Sequence, residues 1–173
     1  MQLRPYQPED RPACLAIFDG NTPPYFAPHE RAQFETFLDT EAQAYPYFVV
    51  EGDDGQVLGC GGYLRLGDTP VAILTWGMVA RERHRQGIGW FLLLERLHRM
   101  SLDPAIARVK LETSQHTYGF FEKAGFVTKR IVTDGFGPGL HQHDMLLELD
   151  VASCARIARE RDKLAARNGA LAS

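Results

Sequence analysis

The sequence has no long apolar run, and none of its segments approaches the roughly 20 residues that a membrane-spanning helix needs. The N-terminal residues Met1–Pro5 also lack the apolar stretch of a secretory signal peptide. These absences predict a cytoplasmic protein that has no membrane partner.

Cysteine is scarce, with only 3 residues, Cys14, Cys60 and Cys154. They are odd in number, far apart and without metal-ligand spacing, so we expect reduced thiols and no metal site. A basic excess is also missing, because the formal net charge is -3. General nucleic-acid binding normally shows such an excess, so no nucleic-acid partner is expected.

The composition is that of one soluble globular domain, with 45% hydrophobic and 24% charged residues in 173 positions. We predict a folded domain over residues 1–150, followed by a helical tail over residues 151–173. The tail has a narrow apolar stripe, Ile157 and Leu164, which suits either packing on a partner or fraying.

The most informative segment is His84–Gly89, which we call the glycine turn. It follows an apolar run, Val71–Val79, and precedes a periodic apolar segment that begins at Trp90. This order predicts a strand, a turn and a helix. Glycine allows a close backbone approach to a ligand, and the free amides of a helix's first turn favour an anionic phosphate. The glycine turn is therefore interpreted as a diphosphate-binding site.

Two common phosphate motifs fit the segment poorly. A Walker loop needs Gly-Lys-Ser/Thr, a triplet that occurs nowhere in the chain. A dinucleotide fingerprint needs glycine where Leu92 stands, although Glu112 lies at the distance of its acidic partner. Binding of a dinucleotide remains a weaker alternative.

Two motifs together resemble the GNAT superfamily of N-acyltransferases. Arg81, Arg83 and Arg85 with Gly87-Ile88-Gly89 are similar to its acyl-CoA segment, R/Q-x-x-G-x-G/A. The later stretch 119–126, Gly-Phe-Phe-Glu-Lys-Ala-Gly-Phe, is similar to its F-Y-E-K-x-G-F helix and turn. The resemblance is firm over residues 45–149 and covers the first 44 residues in outline.

The resemblance implies an α+β fold with a mixed sheet of about seven strands, about four helices and two splayed central parallel strands, plus a C-terminal helix. Apolar patterning and turn residues place strands at residues 3–6, 47–50, 57–66, 71–79, 108–113, 126–133 and 145–149. Helices are predicted after residues 8–10, at 28–40, after the glycine turn, at 114–125 and at 151–167. Residues 134–139 are predicted to form a loop. Gly59, Gly61 and Gly62 predict a bulge or a close approach by another group.

The resemblance also implies acetyl-CoA as cosubstrate, without a metal. Its binding residues would be Met78, Val79, His84, Arg85, Gln86, Gly87, Ile88, Gly89, Trp90, Ser114 and Phe121. Backbone amides near Met78 and Val79 would face the thioester carbonyl. His84 stands where the family usually has Arg or Gln, and its ring can still donate to a phosphate oxygen. At least one of the three arginines is expected to contact phosphate.

The catalytic groups are less clear. Phe121 occupies the family's tyrosine position and has no proton to give, so Tyr118, one helical turn earlier, is the candidate general acid. Ser114 or water are alternatives. Glu112 is the candidate base, with His116 or ordered water as alternatives.

The acceptor side is expected to be rimmed by Tyr25, Phe26, His141 and His143. A metal site at His141, His143 and Asp144 is disfavoured, because no third ligand is in register. The resulting hypothesis is an acetyl-CoA-dependent N-acetyltransferase that acts by direct transfer on a small-molecule amine or a protein amino group. A non-catalytic acyl-CoA-binding protein of the same fold is the alternative, and a homodimer is possible.

Overall fold

A computed structural model describes residues 1–170 as one seven-stranded mixed sheet with helices on both faces. The strands are β1 (Gln2–Pro5), β2 (Tyr47–Glu51), β3 (Val57–Arg65), β4 (Val71–Val79), β5 (Arg108–Ser114), β6 (Val127–Gly137) and β7 (Leu140–Glu148). Their spatial order is β1-β2-β3-β4-β5-β7-β6, and all neighbours are antiparallel except β4 and β5. The predicted mixed α+β sheet with a central parallel pair is confirmed.

Five α-helices connect and cover the strands: α1 (Arg11–Gly20), α2 (Glu30–Thr40), α3 (Ile88–Ser101), α4 (Tyr118–Lys123) and α5 (Val151–Ala170). Short 3-10 turns at Pro8–Asp10 and Arg81–Arg83 precede α1 and α3. None of the helices formed by residues 1–170 combines the length and apolar character required of a membrane span.

The alternation of side chains along the strands divides the core into layers. On β2, Val49 packs with α1 and α2, whereas its neighbour Val50 packs against the start of α3. The first layer is rich in aromatic residues, and the second is built on Leu93, Leu97 and Met100 of α3 against β5 and β7. Both faces of the central strands are therefore buried, which fixes the register of the sheet.

The three clustered glycines of β3 lie at a bulge that a neighbouring side chain approaches closely, as the sequence predicts. The pairing with β4 shifts between Cys60 and Gly62, so one residue of β3, Gly61, lies opposite both Trp76 and Gly77. Trp76 adopts a positive φ of 42° at this bulge. The glycines also admit a close neighbour, because a Cβ at Gly61 would lie 2.9 Å from Nη1 of Arg96.

The prediction of a loop at residues 134–139 is wrong. Asp134 to Gly137 continue β6, β7 already begins at Leu140, and only Pro138 and Gly139 lie between the two strands. The glycines and Asp134 suggested a loop, but a register shift between Val132 and Gly137 accommodates positive φ values at Asp134 and Gly137. The hairpin is therefore longer than the composition indicates.

The C-terminal helix α5 packs on α3 of the same domain. Its Ile157 is 2% exposed and belongs to the layer formed by α3, β5 and β7. Arg161 and Arg99 both pair with Glu95 of α3, and Arg156 donates to the carbonyl of Ala124 at 2.8 Å. The tail therefore packs on its own domain, whereas the sequence suggested packing on a partner or fraying. Residues 171–173 of the predicted tail lie outside the described residues, and the boundary at residue 150 stays a prediction.

Replacing Ile157 by Ala should lower the free energy of unfolding by about 2–5 kcal/mol, because a buried side chain is removed and a cavity is left. Val151→Ala is the matched control, since Val151 is 89% exposed on the same helix and its replacement should change stability by less than about 0.5 kcal/mol. Urea denaturation of both variants measures the difference. Equal stabilities would show that α5 is not part of the cooperative core.

Candidate active site

The central parallel strands part shortly after they begin. β4 and β5 pair only at Val71, Ala72 and Ile73, opposite Arg108, Val109 and Lys110. Beyond this point β5 continues to pair with β7 on its other side, while the remaining edge of β4 faces an opening. An unpaired strand edge presents backbone donors and acceptors that a ligand can bind. We call this opening the β4–β5 gap.

The end of β4 directs backbone amides into the gap. In an antiparallel ladder, alternate residues direct both N–H and C=O at the partner strand. Ala80 donates its N–H to the carbonyl of Leu58 in β3, so Val79 directs its own groups away from β3. By the same alternation, the N–H of Gly77 faces the gap.

The carbonyl of Val79 is held from two sides. It accepts hydrogen bonds from Nδ2 of Asn21 at 2.8 Å and from Nε2 of His84 at 3.1 Å. Asn21 is buried and also donates to the carbonyl of Ile17 at the end of α1. The end of β4, the first residue of the glycine turn and the end of α1 are therefore fixed relative to one another. Nε2 of His84 carries its proton in this contact, so Nδ1 can donate to a phosphate only when the ring carries both protons.

The glycine turn begins α3 as predicted. Gly87 precedes the helix with a φ of 85°, a left-handed conformation for which glycine carries no steric penalty. In the part of the chain that the structure describes, the amides of residues 85–90 donate to no protein acceptor. The turn itself is exposed, whereas Ile88 points into the core. These free donors at the positive end of a 14-residue helix suit a diphosphate.

The three arginines before the turn have different environments. Nη1 of Arg81 donates to the carbonyls of Pro23 at 2.9 Å and Gly20 at 3.3 Å, so this side chain ties down the loop between α1 and α2. Arg85 is exposed and Arg83 is half-buried. Arg83 and Arg85 therefore remain as the candidates for phosphate contact.

Tyr25 stands between the two sides of the gap. Its ring centroid lies 5.5 Å from that of His84 in the glycine turn and 6.4 Å from that of His116, which follows β5. Phe26, also expected at the acceptor rim, instead packs on Phe18 and Trp76 in the aromatic layer. The mouth of the gap is thus lined by a tyrosine and two imidazoles.

The remaining predicted ligand residues divide into two groups. Trp90 packs edge-to-face on Phe120 beside the glycine turn. The side chain of Met78 is buried with α1 and α2, and its backbone pairs with Cys60 of β3, so neither faces the gap. Ser114 is buried and its Oγ accepts the N–H of His116 at 3.3 Å. Phe121 packs edge-on to Phe126 in the α3 layer.

The candidate acid and base are not brought together at the gap. The ring of Tyr118 stacks on His143 with centroids 4.6 Å apart, and His143 lies on β7, the strand on the far side of β5. Glu112 is exposed on β5 and lies opposite Asp144 of β7. His141 lies at the β6–β7 turn, where its backbone N–H donates to Gln115. Within residues 1–170, no three His, Cys, Asp or Glu side chains gather in a way that could hold a metal ion.

Two functional candidates were not identified from the sequence. Asn21 lies in an irregular loop with no motif, so nothing indicated its contact with Val79. Arg96 is different, because it lies three and four residues after Leu93 and Leu92, on the buried face of α3. A charged residue on an apolar helical face is a signal that the pattern contained.

Comparisons with known proteins agree with this geometry. The sequence profile of the acetyltransferase (GNAT) family matches residues 14–126. The chain belongs to this family. It is an N-acetyltransferase by class, and the GNAT resemblance of the two motifs is confirmed. Comparison with curated proteins gives no match.

Solved structures show the same fold. A GNAT-family protein from Desulfovibrio desulfuricans superimposes with a TM-score of 0.74 and 24% identity, over 86% of this chain and 99% of that one. The ribosomal-protein-S18-alanine N-acetyltransferase from Escherichia coli gives 0.71 and 18%, over 87% and 94%. A phosphinothricin acetyltransferase from Sinorhizobium meliloti, solved in complex with acetyl-CoA, gives 0.68 and 16%, over 85% and 87%.

Replacing Gly87 by Val should raise the dissociation constant of CoA at least about tenfold, because a β-branched residue disfavours the left-handed conformation that directs the amides outward. Gly55→Val is the matched control. Gly55 has a similar φ of 79° and equally open surroundings, but it lies in the turn between β2 and β3. Isothermal titration calorimetry with CoA compares both variants with the parent. Unchanged affinity in Gly87→Val would refute the assignment of the glycine turn.

Proposed function

We propose that this chain transfers the acetyl group of acetyl-CoA to a primary amine of a small molecule or of a protein by direct transfer. One observation carries the proposal: unpartnered amides at the start of α3 adjoin a strand edge that is open from the bulge to Val79. The first suits a diphosphate, and the second suits an extended amide-containing arm such as pantetheine. The Sinorhizobium structure with acetyl-CoA supports the choice of cosubstrate.

Different groups of the chain would bind the diphosphate and polarise the thioester carbonyl. The amides of residues 85–90 would hold the diphosphate, with Arg83 or Arg85 beside them. The N–H groups of Gly77 and Val79, which face the gap, would polarise the thioester carbonyl. Asn21 and His84 fix Val79 through its carbonyl, so this donor is preorganised rather than mobile. When bound, acetyl-CoA supplies the activated acyl group.

The reaction needs one proton to leave the amine and one to reach the sulfur. The amine nitrogen attacks the carbonyl carbon, the C–N bond forms, and the C–S bond breaks with its electron pair on sulfur. Glu112, His116 or ordered water is proposed to take the amine proton. Tyr118, Ser114 or water is proposed to protonate the thiolate. His116 adjoins Tyr25 at the mouth of the gap, which favours it as the group that an incoming amine meets.

A non-catalytic acyl-CoA-binding role is the second candidate. Phe121 stands in the acid position, and the ring of Tyr118 is stacked over β7 rather than over the gap. Under this alternative the chain would bind CoA without turnover.

Incubation with acetyl-CoA and a panel of primary amines distinguishes the two. The panel contains a polyamine, free amino acids and peptides with free α-amino groups. The peptides are suggested by the Escherichia coli neighbour, a ribosomal-protein-S18-alanine N-acetyltransferase. We expect release of free CoA thiol, detected with a disulfide reagent, only when an acceptor is present. Binding of CoA without thiol release from any amine would favour the binding protein. Titration with NAD in parallel tests the dinucleotide alternative, for which tight NAD binding and no CoA binding are expected.

Replacing Tyr118 by Phe should lower kcat about 100-fold or more if its hydroxyl is the general acid, with little change in CoA affinity. Tyr45→Phe is the control, because Tyr45 is also an exposed tyrosine but precedes β2. Steady-state kinetics with the best acceptor gives the comparison. Equal kcat values for the Tyr118→Phe variant and the parent would remove Tyr118 from the mechanism.

A further inference from the structure

A buried cation lies directly behind the open edge of β4. Arg96 of α3 is 4% exposed, and its buried neighbours one turn away, Leu92, Leu93 and Met100, are apolar. Its Nε donates to the carbonyl of Leu92 at 3.1 Å and its Nη1 to that of Gly62 at 3.2 Å. Among the described residues no carboxylate pairs with the guanidinium, and Nη2 has no hydrogen-bond acceptor.

The sheet is shaped around this guanidinium. A Cβ at Gly61 would lie 2.9 Å from Nη1, and a Cβ at Gly77 would lie 3.0 Å from Nη2. Any larger residue at either position would displace the group. Glycine at both strands therefore lets α3 bring a charge against the sheet backbone at the bulge.

The charge persists at neutral pH. Burial lowers the pKa of Arg96 to about 10, which still leaves it protonated. The groups that face it are Tyr47 and Cys60. Burial raises the pKa of Tyr47 well above its ordinary value, so its hydroxyl stays neutral and donates to the carbonyl of Trp76. A cation that has two carbonyl acceptors and no paired carboxylate anywhere in residues 1–170 is costly to bury.

Gly77 connects Arg96 with the reaction. Its α-carbon side faces the guanidinium, while its N–H points into the β4–β5 gap where the thioester carbonyl is proposed to lie. Negative charge forms there in two stages, first on the carbonyl oxygen and then on the departing sulfur. A fixed cation one backbone thickness away favours both.

We propose that Arg96 is a positioning residue for acyl transfer. Its charge reinforces the Gly77 amide and stabilises first the oxyanion on the carbonyl and then the thiolate, which leaves with the electron pair of the C–S bond. This inference rests on the proposed function, because it needs CoA in the gap. It adds to that function a side chain that acts from behind the sheet.

The experiment measures the pKa of the thiol of bound CoA by its thiolate absorbance in the ultraviolet. In the parent the thiol pKa should lie below that of free CoA. In Arg96→Met it should rise by about one unit, and kcat with acetyl-CoA should fall about 10-fold or more, while the dissociation constant of CoA changes less than about threefold. Arg96→Lys keeps the positive charge, so its thiol pKa and its kcat should both lie between those of Arg96→Met and the parent.

Arg99→Met is the matched control, since it removes an arginine from the same helix that is paired with Glu95 and packs over Phe48. It should leave the thiol pKa unchanged. If CoA bound to the parent has the same thiol pKa as free CoA, the inference is overturned. This comparison needs no variant, so it remains decisive even if Arg96→Met fails to fold. An unchanged thiol pKa in a folded Arg96→Met also overturns it.

Two further outcomes are separable. If the parent does not bind CoA, the proposed function fails, and the inference about Arg96 fails with it because it needs CoA in the gap. If the parent prefers succinyl-CoA to acetyl-CoA and Arg96→Met loses only that preference, the charge recognises an acyl carboxylate, and the present inference is wrong.

Discussion

The site depends on the loss of pairing between β4 and β5 after Ile73. Two adjacent parallel strands normally satisfy each other's backbone groups, and here β5 instead continues with β7 while β4 continues with β3. The free edge of β4 is stable because its other edge and both of its faces are held. A ligand that binds as an extended strand completes the hydrogen bonding that β5 does not supply.

The bulge at Trp76 determines which groups reach that edge. Ala72 and Leu74 face the α3 layer, and simple alternation would place Trp76 and Met78 on the same face. The extra residue reverses the alternation, so both pack with α1 and α2, and Gly77 takes the position above Arg96. The same irregularity thus fills the aromatic layer and clears space for the guanidinium. A regular strand could not do both.

The sequence predicted the parts of the fold that depend on local chemistry. The glycine turn was identifiable because Gly87 must adopt a left-handed φ and because apolar periodicity resumes at once in α3. The extent of the β6–β7 hairpin was not, since glycines in residues 134–139 suit a loop and a bulged strand equally well. The positions of the side chains of Tyr118 and Asn21 depend on contacts with His143 and Val79, which lie 25 and 58 residues away in sequence. No local pattern encodes such contacts.

The two sides of the gap differ in the groups that they present: one presents main-chain amides, and the other presents side chains. On the proposed cosubstrate side the donors are main-chain amides at the start of α3 and the end of β4, and Nε2 of His84 anchors the carbonyl of Val79. The proposed acceptor side consists of side chains from separate loops, chiefly Tyr25 and His116. Substitution there alters shape and charge but leaves the backbone scaffold intact. Under the proposed function, the acceptor side can therefore change while the main-chain groups that would hold and activate the thioester stay the same. Under the proposed role of Arg96, its charge would serve every acceptor equally, because it would act on the group being transferred.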